Sequence, residues 1–89
     1  MGEWDPDKAA ENLRKHAISF DEASAVLGDP HVLVRRVDRD TEQRNLAIGF
    51  DRLGRLLAVI YTWRNDGQRL ISARRASRRE RRTYEAERK

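Results

Sequence analysis

The run LLAVIYTW, Leu56 to Trp63, is apolar on both faces of any strand it forms. Eight residues rich in β-branched and aromatic side chains suit a strand, and a strand without a polar face belongs in the middle of a sheet. The rest of the chain has to supply its neighbours and its cover.

Turn signals flank it on both sides. DRLGR, 51–55, is a hairpin turn leading back to RNLAIGF, where Leu46, Ile48 and Phe50 share one face and Ala47 and Gly49 the other. RNDGQ, 64–68, holds an Asp-Gly pair, a strong hairpin signal, and leads into RLISARRA. HVLVRRV, 31–37, reads as a further strand, joined to RNLAIGF by the acidic, polar loop DRDTEQ.

Upstream the period is helical. Asp5 followed by Pro6 is an N-cap with proline at the first helical position. Ala9, Ala10 and Leu13 then form a narrow apolar stripe ending near His16, and Glu3–Trp4 ahead of it suits a short edge strand. Ser19 and Glu22 form a capping box, with Ile18 stapling onto Ala23. Phe20, Ala23, Val26 and Leu27 supply the buried face of this second helix, and Gly28 and Pro30 stop it. Ser77 with Glu80 is another capping box, opening a helix that runs through Tyr84 towards Lys89. The order predicts an α+β fold: an antiparallel β-sheet meander with two N-terminal helices and a C-terminal helix packed on it. At 89 residues the chain has room for one core, so residues 1–89 are read as a single domain.

The absence of cysteine excludes a disulfide framework and a Cys-type zinc site. Two histidines, His16 and His31, are too few and too far apart for a zinc site, and the carboxylates lack ligand spacing; no metal or cofactor is expected. The N-terminus, MGEWDPDK, has no apolar signal region, and no stretch approaches membrane-spanning length, which points to the cytoplasm.

Charge is distributed unevenly. Residues 1–44 carry seven Lys/Arg against ten Asp/Glu, net −3, and residues 45–89 carry twelve against five, net +7. Sixteen of the nineteen cations are arginine, whose planar fork suits phosphate or carboxylate. Seven arginines fall in the fourteen positions from Arg69 to Arg82, with Glu80 the one carboxylate among them. Strand alternation sends Arg74 and Arg75 to opposite faces: one lies over the open sheet, the other emerges near the following helix. Helical pairing with Glu80, Glu85 and Glu87 neutralises at most three of the nearby cations, at roughly 0.2–0.5 kcal/mol each. The surplus is a footprint for a polyanion, RNA or DNA first among them.

The segments EWDPDKAAENLRKHAISFDEA and RLISARRASRRERRTYE, with Arg44, Gly49 and Arg64 between them, resemble the BrnT family of bacterial toxins. The resemblance implies a RelE-like fold and metal-independent mRNA cleavage that blocks translation. It also implies inhibition by a ribbon-helix-helix antitoxin of the BrnA type, in a heterotetramer that binds operator DNA through the antitoxin. The chain departs from the family pattern at Ala17, where glycine is usual after Lys-His. A left-handed helix end there costs alanine about 1 kcal/mol. A second departure is Asn45, where a large apolar residue often follows the arginine matching Arg44.

A metal-free ribonuclease needs a group to take the 2′-hydroxyl proton, one to stabilise the phosphorane and one to protonate the leaving oxygen. Arg74 and Arg75, which match the family's ISARR segment, and Arg64 on the adjoining strand are the candidates for phosphorane stabilisation. Glu42 is a candidate base, and His16, an imidazole, a candidate acid, base or phosphate contact. Arg44, Arg69, Arg78, Arg79 and Arg82 are candidate RNA contacts, and Trp63 and Tyr84 candidate stacking platforms. A non-catalytic module that binds nucleic acid or an antitoxin accounts for the same arginines.

Overall fold

The structure is a computed structural model that describes residues 3–39, 41–64 and 67–88. The doubly apolar segment is β4 (Leu56–Arg64), the middle strand of a five-stranded sheet. It pairs antiparallel with β3 (Asn45–Phe50) on one side and β5 (Gly67–Arg75) on the other. β2 (Leu33–Arg36) closes the far side of β3, and β1 (Glu3–Trp4) lies outside β5, giving the order β1-β5-β4-β3-β2. The helices are α1 (Pro6–His16), α2 (Phe20–Ala23) continuing as a 3-10 turn over Ser24–Gly28, and α3 (Arg78–Glu87).

The sheet is mixed rather than an antiparallel meander throughout, because β1 runs parallel to β5, with Glu3 opposite Arg69 and Trp4 opposite Leu70. Strands joined by a tight hairpin must be antiparallel. β1 reaches its neighbour only through the rest of the chain, so no turn signal fixes its direction. The polar segment DRDTEQ is also more ordered than a loop: Arg39 and Glu42 exchange both backbone hydrogen bonds and extend the β2–β3 hairpin to its tip. Asp40 at that tip, and Asn65 and Asp66 of the Asp-Gly turn, lie outside the described residues.

Two apolar layers cover β4. On one face Ile18, Phe20, Ala23 and Val26 pack on Ala47, Leu57, Val59, Tyr61, Leu70 and Ala73, with Trp4 edge-on to Phe20 at 5.9 Å. On the other face Tyr84 packs on Leu46, Ile48, Leu56 and Ala58, edge-on to Phe50 at 5.5 Å.

The caps form where the sequence puts them. Asp5 accepts from the Asp7 amide and Ser19 from Glu22, and Ser77 and Glu80 make both halves of a capping box. The Ser19 box is one-sided, since the Glu22 carboxylate goes to Arg55 instead. Ala17 keeps the left-handed helix exit at φ 57°, ψ 33°, its N–H donating to Leu13 O, so the usual geometry survives without glycine.

Two local readings change. The apolar stripe on α1 is not what the helix buries: Leu13 is 53% exposed and Ala10 is exposed, whereas Asn12 is buried. The Asn12 side chain donates to Ala73 O (2.9 Å) and Ile18 O (3.0 Å) and accepts from Ala73 N (2.9 Å). It pairs with the backbone of β5 as a short strand would. Simple alternation on β5 also fails, because the register slips between Ile60 and Tyr61 and leaves Ile71 as an extra residue. Leu70 therefore joins Ala73 in the α1-side core instead of sharing a face with Ser72.

Candidate nucleic-acid interface

α3 crosses only one half of its face. The row Arg74–Ala58–Ile48–Leu33 runs beneath it, tied by Arg74 to Glu80. The next row is Ser72–Ile60–Leu46–Arg35, and beyond it Arg69 pairs with Thr62, next to Arg44 at the start of β3. On this second half Leu46 and Arg35 still border Arg79, Thr83 and Glu87 of α3, whereas Ile60, Thr62 and Ser72 farther along are half-buried. Its floor is the half-buried Ile60, with Leu46 buried beside it at 4% exposure, and Arg35, Arg44, Arg64 and Arg69 stand around it by strand alternation. Thr62, in their midst, is fixed by its hydroxyl donating to Gln43 O at 2.8 Å. Where the open half meets α3, a groove of about 230 Å³ is floored by Leu33, Leu46 and Ile48 and rimmed by Arg35 and Arg79.

The candidate residues thus do not converge on one pocket. Arg44, Arg64, Arg69 and Arg74 share the α3 face but extend over ~20 Å along the strands, at about 3.3 Å per residue. Arg75 pairs with Leu57 and belongs to the opposite face, so only Arg74 of the pair lies on the α3 face, and it lies beneath the helix rather than on the open half. On α3, Arg79 borders the groove together with Thr83 and Glu87, at i, i+4 and i+8. Arg78 and Arg82 are exposed on the solvent side of the helix. Arg35, which the sequence reading passed over, was signalled by the same pattern as Arg74. In Arg35–Arg36, one arginine faces the open sheet, and the other pairs with Asp38 on its own strand edge at 2.8 Å.

Arg74 is committed to a structural ion pair. It donates to both oxygens of Glu80, at 2.8 and 2.9 Å. That contact, aided by the Ser77 amide, outweighs burial and holds the Glu80 carboxyl at about 2. Burial lowers the Arg74 pKa, but its bond to Glu80 is the larger effect and the net shift is upward. Glu42 is exposed and accepts from Arg44, which fixes both side chains at the rim of the open face. Arg64 and Arg69 have no carboxylate within salt-bridge reach among the described residues.

Tyr84 cannot stack a base: it is 1% exposed, and its hydroxyl donates to Asp29 at 2.7 Å. Burial, and then the hydrogen bond to Asp29, push it up to about 12. Asp29 itself is a junction that no local sequence signal revealed. Besides Tyr84, it accepts from the His31 and Phe50 amides, both at 2.8 Å, and so joins the end of the 3-10 turn, β3 and α3. Burial works against its ionisation, but the amides of Phe50 and His31 and the Tyr84 hydroxyl prevail and its pKa is lowered. Gly49 makes room for this carboxylate, since a Cβ there would sit 3.0 Å from Asp29 Oδ2. Trp63 is 62% exposed at the end of β4, edge-on to Tyr61 at 6.3 Å, and pairs with Gln68 on the α1 face.

His16 lies in a different place, a groove of about 160 Å³ between α1 and the outer edge of β5, with Lys8, Glu11, Asn12, Lys15, Ile71 and Ser72. Among the described residues no group of three or more His, Cys, Asp or Glu could hold a metal ion, and no helix is long and apolar enough to cross a membrane.

The family model described as ribonuclease toxin, BrnT, of type II toxin–antitoxin system matches residues 4–80. Among solved structures, the crystal structure of the Brucella abortus ribonuclease toxin BrnT is similar at 25% sequence identity and a TM-score of 0.64. That match covers 86% of this chain and 96% of the Brucella chain. No curated protein matches.

Proposed function

The chain belongs to the BrnT family of ribonuclease toxins of type II toxin–antitoxin systems, and from that footing we propose that it cleaves mRNA on the open half of the α3 face, on a RelE-like scaffold and without a metal. The observation that carries this reading is the cluster of Arg44, Arg64 and Arg69 around Thr62, on the half of the α3 face away from Arg74. Arginines there suit the phosphates, and the half-buried Ile60 among them suits the edge or face of a base.

In this reading the ribose 2′-oxygen loses its proton and attacks the adjacent phosphorus. The bond from phosphorus to the 5′-oxygen then breaks and that oxygen takes up a proton, leaving a 2′,3′-cyclic phosphate and a 5′-hydroxyl. Arg64 and Arg69 neutralise the charge that accumulates on the phosphorane, a contribution of about 10²–10³ in rate for each well-placed donor. Glu42, steadied by Arg44, is the proposed base, and His16, in the separate groove at the β5 edge, is proposed as a phosphate contact rather than the acid. Arg74 holds Glu80, and through it the α3 terminus that borders the groove. A type II toxin implies an antitoxin partner. The proposed partner is a BrnA-type ribbon-helix-helix protein, assembled with the toxin as a heterotetramer and carrying the contact with operator DNA.

The test is incubation of the purified protein with a defined mRNA in EDTA, followed by a substrate with a 2′-deoxy sugar at each mapped cut. Cleavage of the first and resistance of the second is the expected result. RNA binding without cleavage in any preparation overturns the reading in favour of a non-catalytic module.

A further inference from the structure

The groove between α1 and β5 has features that the open face alone does not explain. β1 covers β5 only opposite Arg69 and Leu70, so from Ile71 onward the outer edge of β5 faces α1. Asn12 occupies the edge hydrogen bonds at Ala73 and fixes the helix there, while the bulge at Ile71 breaks the regular pleat. Lys8 and Lys15, at i and i+7, lie along one side of α1, about 10 Å apart on the helix axis. Neither has a carboxylate within salt-bridge reach among the described residues; Glu11, the acid in the groove, contacts Arg14 at 3.4 Å.

The residue type is informative as well. The chain uses arginine for sixteen of its nineteen cations, yet two of its three lysines stand in this one groove. Lysine is a compact point charge with freely rotating donors, suited to a phosphate whose orientation varies. Ser72 lines the groove and also belongs to the α3-face row with Ile60, so the groove borders the arginine-bearing face at the β5 edge. We infer that the α1–β5 groove is a track for the RNA backbone, in which Lys8 and Lys15 hold phosphates of nucleotides flanking the one being cut. The inference rests on the nuclease reading and extends it from a cleavage point to a path for the strand.

The test uses the full-length toxin and RNA oligonucleotides made uncleavable by 2′-O-methylation, one confined to the cut site and one extended on both sides. Affinity is measured against salt for wild type, Lys8→Ala/Lys15→Ala and Lys8→Arg/Lys15→Arg. For the extended RNA the alanine variant is expected to lower the magnitude of the salt slope by about 1.4, at about 0.7 per single-strand phosphate contact. Its affinity deficit then shrinks about sevenfold as salt rises fourfold, following from that slope. The short RNA and kcat on a cleavable substrate stay unchanged, and the arginine variant restores the slope. An unchanged slope on the extended RNA, or an equal loss on both RNAs, overturns the track. If the wild type binds both RNAs but cuts nothing, the nuclease reading falls on its own evidence, and the slope comparison still decides the track.

Discussion

Replacing Arg74 by alanine removes the partner of a carboxylate that is largely out of water. Glu80 is 8% exposed and ionises at about 2, against its ordinary 4.5, chiefly because Arg74 grips both oxygens. A carboxyl with a depressed folded pKa stabilises the fold above its unfolded value and loses that contribution as pH falls through the folded one. Here the window runs from about 4.5 down to about 2. The full shift corresponds to about 3 kcal/mol at neutral pH. The Arg74 side chain is 44% exposed, so solvent screening reduces the contribution to about 2 kcal/mol. Urea unfolding at pH 7 should show the variant's midpoint lower by about 2 M, at about 1 kcal/mol per M for a chain of this size. In heat, the loss is about 10 °C. Near pH 2 the two proteins should converge, apart from the packing lost with the arginine stem. An equal deficit at both pH values refutes the ion-pair account. So does a fully stable variant that has lost only cleavage, which would move Arg74 from the scaffold to the substrate.

Other consequences follow from single contacts. Ala17→Gly should stabilise the protein by about 0.5–1 kcal/mol by relieving the left-handed exit of α1, read in the same unfolding assay; destabilisation would mean that φ 57° is not strained here. Asp29→Ala strands the Tyr84 hydroxyl and the Phe50 and His31 amides and should cost about 2–4 kcal/mol, with Asp29→Asn recovering part of it in denaturant titrations. Tyr61 and Tyr84 both have raised pKa values, chiefly from burial, so alkaline titration of tyrosinate absorbance should show neither ionising near 10. The contribution of Tyr84 is complete below 10 and lost as pH rises through about 12, so ionisation should coincide with alkaline unfolding.

What the sequence made legible was local. The doubly apolar Leu56–Trp63 segment had to be central, and Asp5–Pro6 and Ser77–Glu80 announced their helices through backbone chemistry confined to a single turn. The opposite facing of Arg74 and Arg75 followed from the strand period. Whatever depended on partners far along the chain stayed hidden. Asn12 looks like an ordinary polar helix residue until Ala73, 61 positions away, presents its backbone. Tyr84 and Asp29, 55 positions apart, give no mutual signal. The extra residue at Ile71 reverses the facing of Leu70, and a bulge leaves no trace in an alternating run that already mixes polar and apolar residues. At the candidate site the sequence revealed which residue type mattered but not its distribution. Glu80 claims Arg74 through a contact between strand and helix that seats α3 over one row of its face.

The most direct test sets the two sheet faces against each other. RNA cleavage by Arg64→Ala and Arg69→Ala, on the open half of the α3 face, is compared with cleavage by Arg75→Ala, on the opposite face and nearer to the charge-rich tail. With folded populations matched, the account predicts a drop in kcat/KM of about a hundredfold or more for each of the first two, and near-wild-type cleavage for the third. Full activity in both open-face variants, or inactivation by Arg75→Ala alone, would contradict it.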